Sequence, residues 1–296
     1  MISDYAKRML NRKIKLVECP RDAMQGLHDF IPTEEKISFI NQLMKVGYDT
    51  LDCGSFVSPK AIPQMADTAE VLEKIEFGAS ATKLLVIIAN VRGALQAAEH
   101  DKVTYLGYPF SISETFQLRN TNASIMESLI RVEDIQEICF KKGKKLVLYL
   151  SMGFGNPYGD PWNLEIVENW VDRLYKMGIE IMSLSDTIGV SNKESIEYLF
   201  SGLIPKYPRV EFGAHLHTHP ARWFEKVNAA FGNGCVRMDS AIRGFGGCPM
   251  AKDDLVGNMA TEHVVEYLLS NQLLPDINLD EFATALKMAD NIFPRT

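Results

Sequence analysis

The amino-acid sequence predicts an α/β protein with a closed (β/α)8 barrel, and two observations indicate this fold class. Short apolar runs rich in β-branched residues alternate with amphipathic stretches along most of the 296 residues, which is typical of a parallel sheet. Eight such units fit into roughly 240 residues, the size of a single barrel. Because no glycine-rich phosphate-binding signature follows the first predicted strand, an open doubly wound sheet is the weaker alternative.

The predicted elements follow one another in a regular order. Strands are predicted at residues 14–18, 48–53, 83–89, 103–106, 145–151, 179–184, 210–217 and 235–240. Helices are predicted between most of them, at 33–46, 61–75, 91–99, 123–142, 163–177, 192–206 and 220–232. Glycine steps such as KVGYDT and KMGIEI end several of these helices, because glycine readily adopts the left-handed conformation that lets the chain reverse.

The same pattern predicts one domain that spans residues 1–296. The barrel covers about residues 14–250, and the tail of about 251–296 has the periodicity of additional C-terminal helices. With 46% hydrophobic and 23% charged residues, the chain can bury a large core. No stretch rich in proline, glycine or serine divides the sequence, which argues against an interdomain linker.

Charge, hydropathy and cysteine usage narrow the classes of partner. A net charge of −7, with KKGKK at 141–145 as the main basic run, argues against nucleic acid. No apolar run approaches the length of a membrane-spanning helix. The N-terminal MISDYAKRMLNRK lacks the apolar core of a secretory signal, and the five scattered cysteines are typical of reduced thiols. These observations predict a cytoplasmic protein that works away from membranes.

Reactive side chains cluster where the predicted strands end, and barrel enzymes carry their chemistry at the carboxyl ends of the strands. Acidic, imidazole, guanidinium and thiol groups are all represented. They are Arg21 and Asp22 after the first strand, Asp52 at the end of the second, Asp186 after the sixth, His215 and His217 at the end of the seventh, and Cys248 in RGFGGCPMA after the eighth.

The run HLHTH contains the strongest local signal. His215 and His217 are two residues apart on a predicted strand, so both side chains point the same way. Together with the carboxylate of Asp22 they could hold a divalent metal with open positions for substrate oxygens. The spacing alone is also compatible with structural or surface histidines. Similarly, Cys248 could simply occupy a tight turn, and Asp52 could cap a helix.

Several segments together resemble the 3-hydroxy-3-methylglutaryl-CoA lyases, within the metal-dependent carbon–carbon lyases and Claisen-condensing enzymes built on a TIM barrel. The segments are PRDAMQ, SFVSPKAIPQMAD, SLSDTIGV, HLH and GFGGCPMA with GNMATE, and they occur in the family's order between about residues 14 and 270. The long segments SFVSPKAIPQM and GFGGCP favour the lyases over the isopropylmalate and homocitrate synthases, which share mainly the Arg-Asp and His-X-His motifs.

The resemblance implies a role for each matching residue. It implies metal ligation by Asp22, His215, His217 and Asn258, with Arg21 and Cys248 as catalytic residues. Asp52 takes the place of a family glutamate beside the site, and Asp186 matches the aspartate of the DTIG motif. For substrate binding we expect Gln25, Arg119 and Asn120. These ligand types suit Mg²⁺ or Mn²⁺ and are also compatible with Zn²⁺.

The activity implied by the resemblance is a retro-Claisen cleavage of 3-hydroxy-3-methylglutaryl-CoA to acetyl-CoA and acetoacetate, as in leucine degradation, by a homodimer. The sequence departs from the family pattern at Ala23 and Met24, at Thr218 and His219, at Asp52 and at Asn156. These departures keep open an alternative, a related lyase, aldolase or Claisen-type synthase that acts on another 3-hydroxyacyl-CoA or 2-oxo acid. A non-catalytic binding barrel would be expected to lose Cys248 or a metal ligand, and none is lost.

Overall fold

The structure is a computed structural model that describes residues 14–247, 256–273 and 276–293. Eight parallel strands form a closed barrel, because each strand pairs with the next, β8 pairs with β1, and β6 pairs with β7. The strands are β1 (Lys15–Glu18), β2 (Thr50–Ser55), β3 (Lys83–Ile87), β4 (Val103–Ser111), β5 (Lys145–Ser151), β6 (Ile181–Asp186), β7 (Glu211–Thr218) and β8 (Arg237–Ser240). The predicted (β/α)8 TIM barrel is confirmed.

Helices surround the barrel and close its ends. They are α1 (Pro20–Gln25), α2 (Thr33–Val46), α3 (Thr68–Lys74), α4 (Val91–Ala98), α5 (Glu114–Thr121), α6 (Ile125–Lys142), α7 (Leu164–Lys176), α8 (Lys193–Lys206), α9 (Trp223–Gly232), α10 (Thr261–Ser270) and α11 (Leu279–Ile292). The predicted C-terminal helices correspond to α10 and α11. None of the described helices is both long enough and apolar enough to cross a membrane.

Two helices and part of a strand were not predicted. The short α1 begins immediately after β1 with Pro20 in its first turn, and α5 has the polar sequence ETFQLRNT, so neither has a clear apolar period. Strand β4 continues to Ser111, beyond the predicted end at residue 106, although GYPFS contains a glycine and a proline. Its register with β5 extends to the pair Ser111 and Ser151, so sheet pairing overrides the local turn signal.

Local sequence signals set several of the helix ends. Helix α6 starts with a capping box in which the Ser124 side chain accepts from the backbone N–H of Glu127, and the Glu127 carboxylate accepts from that of Ser124. It ends at Gly143, whose φ of +65° is the left-handed conformation expected there. Such caps satisfy backbone groups that the helix itself leaves without partners.

A ninth strand, β9 (Gly257–Asn258), was also not predicted, and it matters for the site. It runs antiparallel to β7, with Asn258 opposite His217. A two-residue strand has no periodicity that a sequence could reveal, so only long-range pairing defines it. As a consequence, the chain after β8 returns to the rim where β7 ends.

The core has two layers, as the barrel architecture requires. A large apolar cluster between sheet and helices extends from Ile14 to Phe293, while a smaller one inside the barrel includes Tyr105, Tyr149 and Ile181. The predicted single domain over residues 1–296 reaches beyond the described residues and stays a prediction. Toward the carboxyl ends of the strands the interior becomes polar, and this end contains the candidate site.

Candidate active site

A carboxylate and two imidazoles meet at the rim of the barrel. Asp22 lies in the first turn of α1, directly above β1, and His215 and His217 lie on β7. One ligand atom from each of the three lies within 4.8 Å of the others, and His215 Nε2 is 3.9 Å from Asp22 Oδ2. The alternation of side chains along a strand places both histidines on the barrel side of β7, as predicted.

Each histidine is held by its other ring nitrogen. His215 Nδ1 is 3.2 Å from Asp239 Oδ2, and His217 Nδ1 is 3.0 Å from the carbonyl oxygen of Thr187. With Nδ1 as the donor, the neutral rings have their Nε2 lone pairs free, which is the arrangement of metal-bound histidines. His217 Nε2 is buried and has no partner among the described residues. This unsatisfied acceptor fits a cation between the rings and Asp22.

Asn258, the fourth predicted ligand, lies beside Asp22. Its side-chain Nδ2 donates to Asp22 Oδ2 at 2.7 Å and to the carbonyl of Phe245 at 2.9 Å. The pairing of β9 with β7 therefore brings this amide beside the histidines. Gly246 must be a glycine here, because its φ is +92° and a Cβ would lie 2.5 Å from the Asp22 carbonyl oxygen.

Arg21 lies between two carboxylates. Its Nε donates to both oxygens of Asp52 at 3.2 and 3.0 Å, and its Nη2 contacts Asp52 as well. Its Nη1 donates to Asp22 Oδ1 and to Gln25 Oε1, each at 2.9 Å. All these charges are buried or nearly so, and an arginine fork suits such paired contacts. Asp52, on β2, thus fixes the orientation of the guanidinium.

Burial and neighbouring charges shift the ionisation of these groups. Burial alone would raise the pKa of Asp22, but the charges of Arg21, His215 and His217 lower it below its usual value. Burial, with the charge of His215, lowers the pKa of His217 to about 4. Burial also raises the pKa of Asp52 to about 6, against the opposing effect of Arg21. At neutral pH Asp22 is therefore ionised and His217 neutral, which are the forms that bind metal.

These groups open into a cavity of about 380 Å³ at the carboxyl end of the barrel. One side is polar and contains Asp22, His215 and His217 of the predicted metal group, with Arg21 and Gln25. Arg119 and Asn120 of α5 also line it, so the three predicted substrate-binding residues face one space. Apolar side chains form another part of the wall, namely Val57, Ala61, Ile62, Ile87, Ala89, Pro109 and Phe116, and the remaining lining residues are Tyr149, Ser151, Ser185 and Thr187. Two larger clefts on the surface contain none of Asp22, His215 and His217, although Asn258 borders one of them.

Of the predicted catalytic residues that the structure describes, Arg21 lines this cavity, whereas Asp52 and Asp186 do not. Asp186 points to the helix side of β6, where its Oδ2 accepts from the Ser191 backbone and hydroxyl and from Lys226 Nζ. Cys248 lies outside the described residues. Lys226 was missed by the sequence reasoning, because a lone lysine in WFEKVN gives no signal that its ammonium is buried.

The departures from the family pattern mostly leave the cavity untouched. Ala23 and Met24 are buried in the apolar cluster, and Asn156 accepts two backbone N–H groups within its own loop. His219 is exposed and caps the turn at Pro220–Arg222. None of these four is among the described residues that line the cavity. The other cysteines, Cys19, Cys53, Cys139 and Cys235, are buried and unpaired, as predicted for core thiols.

Comparison with known proteins gives one consistent result. The model of the HMGL-like family matches residues 13–289. The mitochondrial hydroxymethylglutaryl-CoA lyase of Bos taurus is 34% identical over 277 residues, which are 93% of this chain and 84% of that protein. A Pseudomonas aeruginosa protein named 3-hydroxy-3-isohexenylglutaryl-CoA/hydroxy-methylglutaryl-CoA lyase is 35% identical over 264 residues, which are 88% of this chain and 86% of that protein.

Solved structures agree with this result. Hydroxymethylglutaryl-CoA lyase from Pseudomonas aeruginosa has a TM-score of 0.88 and 30% identity, and the match covers 96% of this chain and 94% of that one. An HMG-CoA lyase from Acinetobacter baumannii, in complex with coenzyme A and 3-methylmalate, has a TM-score of 0.87 and 28% identity over 99% and 93% of the two chains. Because the family model and these relatives span nearly the whole barrel, this chain belongs to the HMGL-like family of hydroxymethylglutaryl-CoA lyases.

Proposed function

We propose that this protein is a divalent-metal-dependent lyase that cleaves 3-hydroxy-3-methylglutaryl-CoA to acetyl-CoA and acetoacetate. The observation that supports it most directly is the meeting of Asp22, His215 and His217 beside Arg21 in one cavity, with the Asn258 side chain hydrogen-bonded to Asp22. The relatives named as hydroxymethylglutaryl-CoA lyases, and the related structure with bound coenzyme A, support the same substrate. The proposal includes a cytoplasmic homodimer.

Asp22, His215, His217 and Asn258 would hold the metal. Carboxylate, amide and imidazole ligands suit Mg²⁺ or Mn²⁺, and Zn²⁺ also accepts this set. A metal bound there would orient the C3 hydroxyl and lower its pKa. Asp22 and His215 line the cavity and are the groups positioned to accept the hydroxyl proton, whereas Asp52 does not line it.

Arg21 supplies a permanent positive charge to the thioester oxygen as the carbon–carbon bond breaks. The bond between C2 and C3 breaks, its electron pair moves to the thioester as an enolate, and C3 becomes the ketone of acetoacetate. Asp52 holds the guanidinium in place before the substrate arrives, so little reorganisation is needed when charge develops. Asp186 contributes at a distance by holding the loop beside His217.

Cys248 is proposed as the acid that protonates the enolate carbon to give acetyl-CoA. A thiol near its usual pKa of about 8.5 is mostly protonated at neutral pH and can donate this proton. Its ionisation at higher pH should abolish this step. We therefore expect kcat to fall above about pH 9, and a rate that rises steadily to pH 10 would contradict the assignment.

A product assay tests the proposed function. Metal-stripped protein would receive the substrate with and without Mg²⁺ or Mn²⁺, and acetyl-CoA and acetoacetate would be quantified. We expect cleavage only with metal, its loss in Cys248→Ala, and its retention in His219→Thr, because His219 lies outside the cavity. Metal binding without either product would contradict the proposed substrate.

The apolar part of the cavity favours a second candidate, a substrate whose C3 substituent is longer than methyl. Its apolar wall is more extensive than one methyl group requires, and Ala61 and Ala89 leave room beside it. The Pseudomonas relative is named for both a methyl and an isohexenyl substrate. Measuring kcat/KM for a series of substrates with longer alkyl groups at C3, in the wild type and in Ala89→Leu, would distinguish the methyl substrate from the longer ones. Selective loss of the longer substrates in the variant is expected.

A further inference from the structure

Lys226 is a buried lysine that joins three segments behind the candidate metal site. It lies on α9 with 1% of its surface exposed. Its Nζ donates to Asp186 Oδ2 at 2.8 Å, to the backbone carbonyl of His217 at 2.8 Å and to that of Gly189 at 3.2 Å. All three ammonium protons therefore have an acceptor.

The location of this lysine is costly without those acceptors. It lies in the first turn of α9, where the helix dipole disfavours a cation. Burial of a charge is also strongly unfavourable unless the charge is paired. Asp186 provides the counter-charge, since its Oδ2 receives Lys226 together with the backbone and hydroxyl of Ser191. Such a buried pair adds little to stability compared with apolar residues, so it is better explained by what it positions.

What the three contacts position is His217. One contact holds the backbone of His217 itself on β7. The other two hold Asp186 and Gly189, which flank Thr187, and the Thr187 carbonyl oxygen is the acceptor for His217 Nδ1. Lys226 thus fixes both the strand that presents the ring and the loop that orients it. The unpaired Nε2 of His217 is the outcome of that arrangement.

We propose that Lys226, paired with Asp186, is a positioning residue that aims His217 Nε2 at the metal. This inference rests on the metal centre of the proposed function and adds a residue to it. Loss of a group that orients a metal-bound histidine typically weakens metal affinity by about 10- to 100-fold. Metal affinity should therefore fall even when the barrel remains folded.

The test compares Lys226→Met with Lys36→Met as a matched control. Lys36 is equally buried, at 2% exposure, and its Nζ binds Asp67 and the carbonyl of Gln64, away from the metal group. The double variant Asp186→Asn/Lys226→Met removes both charges, so no unpaired buried charge threatens folding. For each protein, the Mn²⁺ dissociation constant would be measured by electron paramagnetic resonance. The visible spectrum of bound Co²⁺ and the melting temperature would also be recorded.

We expect Lys226→Met and the double variant to bind Mn²⁺ about 10- to 100-fold more weakly, with an altered Co²⁺ spectrum. Lys36→Met should lose stability but keep the wild-type dissociation constant. Wild-type Mn²⁺ affinity in the double variant, or an equal loss in Lys36→Met, would overturn the proposal. No substrate is present in this experiment, so a protein that binds metal normally but cleaves nothing would contradict only the proposed activity.

Discussion

At the scale of single residues, the candidate site depends on how charges are paired. Arg21 is shared between Asp52 and Asp22, so one guanidinium compensates two carboxylates. The Asp52 contact uses two guanidinium nitrogens, which fixes the plane of the group. A lysine at this position would keep the charge but lose the fork, and the two side chains are not equivalent at such sites.

Arg21→Lys should lower kcat by about 100-fold or more, because a catalytic oxyanion donor is displaced. Mn²⁺ affinity should fall by a smaller factor than kcat, because a lysine keeps the positive charge beside Asp22. Arg119→Gln is the contrasting variant, because Arg119 lines the cavity on α5, away from the metal group, with its guanidinium over the Tyr158 ring at 4.8 Å.

Steady-state kinetics separates the two roles. For Arg119→Gln we expect a higher KM with kcat nearly unchanged, as for a residue that binds substrate and transition state equally. If Arg21→Lys raised only KM, Arg21 would be a binding residue and the charge stabilisation assigned to it would be wrong.

At the scale of elements, the segment between β8 and α10 is fastened at both ends by residues far away in sequence. Glu18, at the end of β1, accepts from the backbone N–H of Ile242 at 2.9 Å and from the hydroxyl of Thr261. Between these anchors, Gly246 packs against Asp22 and β9 pairs with β7. The position of Asn258 is therefore a property of several elements together.

The Glu18 anchor predicts a loss of stability at alkaline pH. Burial raises the pKa of Glu18 to about 8 in the folded protein, from 4.5 when exposed. The folded state therefore holds this proton more tightly, and its stabilising contribution is present below pH 4.5 and is lost as pH rises through about 8. The full shift corresponds to on the order of 5 kcal/mol. Urea unfolding of the wild type at pH 6 and pH 9 should show the fall.

Glu18→Gln is the variant that isolates this effect. The amide oxygen can still accept from Ile242, while the hydroxyl of Thr261, 2.9 Å from Ser240 Oγ, can donate there instead. Its stability should vary much less with pH between 6 and 9. An unchanged pH dependence in this variant would show that another group is responsible.

Gly246→Ala should weaken metal binding, because it displaces the backbone of Asp22 and the side chain of Asn258. A Cβ there would lie 2.5 Å from the Asp22 carbonyl oxygen and 2.7 Å from Asn258 Nδ2, at a φ of +92°. We expect Mn²⁺ affinity to fall at least 10-fold, in line with other displaced ligands. Gly143→Ala is the control, since Gly143 also has positive φ but nothing within 4 Å. It should cost only about 1 kcal/mol of stability, and equal metal binding in the two variants would contradict this account.

At the scale of the whole molecule, the metal group connects both ends of the chain. Asp22 follows the first strand, the histidines lie on the seventh, and Asn258 belongs to the segment after the eighth. A metal at this place would cross-link these parts in the folded state only, and binding that is confined to the folded state stabilises it. Barrel closure between β1 and β8 makes the arrangement possible.

Metal should therefore raise the melting temperature. At a Mn²⁺ concentration of 100 times the dissociation constant, the expected gain is about 2.7 kcal/mol, or roughly 4–5 °C for a chain of this size. Scanning calorimetry with Mn²⁺ or with EDTA measures it. His217→Ala should abolish the difference, while His219→Thr should keep it. An equal rise in His217→Ala would place the metal elsewhere.

The sequence by itself determined the eight β/α units, because the apolar period and the glycine steps are local properties of the chain. It also determined that His215 and His217 share one side of a strand, since that follows from strand geometry alone. The resemblance pointed to Asn258, Arg21 and Cys248. These predictions needed no knowledge of which distant segments touch.

Only the tertiary structure decided how these residues are held. The β9 pairing, the Asp52 contact to Arg21, and the burial of Lys226 against Asp186 join residues that are distant in sequence. No local period encodes such contacts, because they arise when the barrel closes and brings strand ends to one rim. The same closure turned Asp186 away from the cavity and toward α9, which the DTIG motif alone could not reveal.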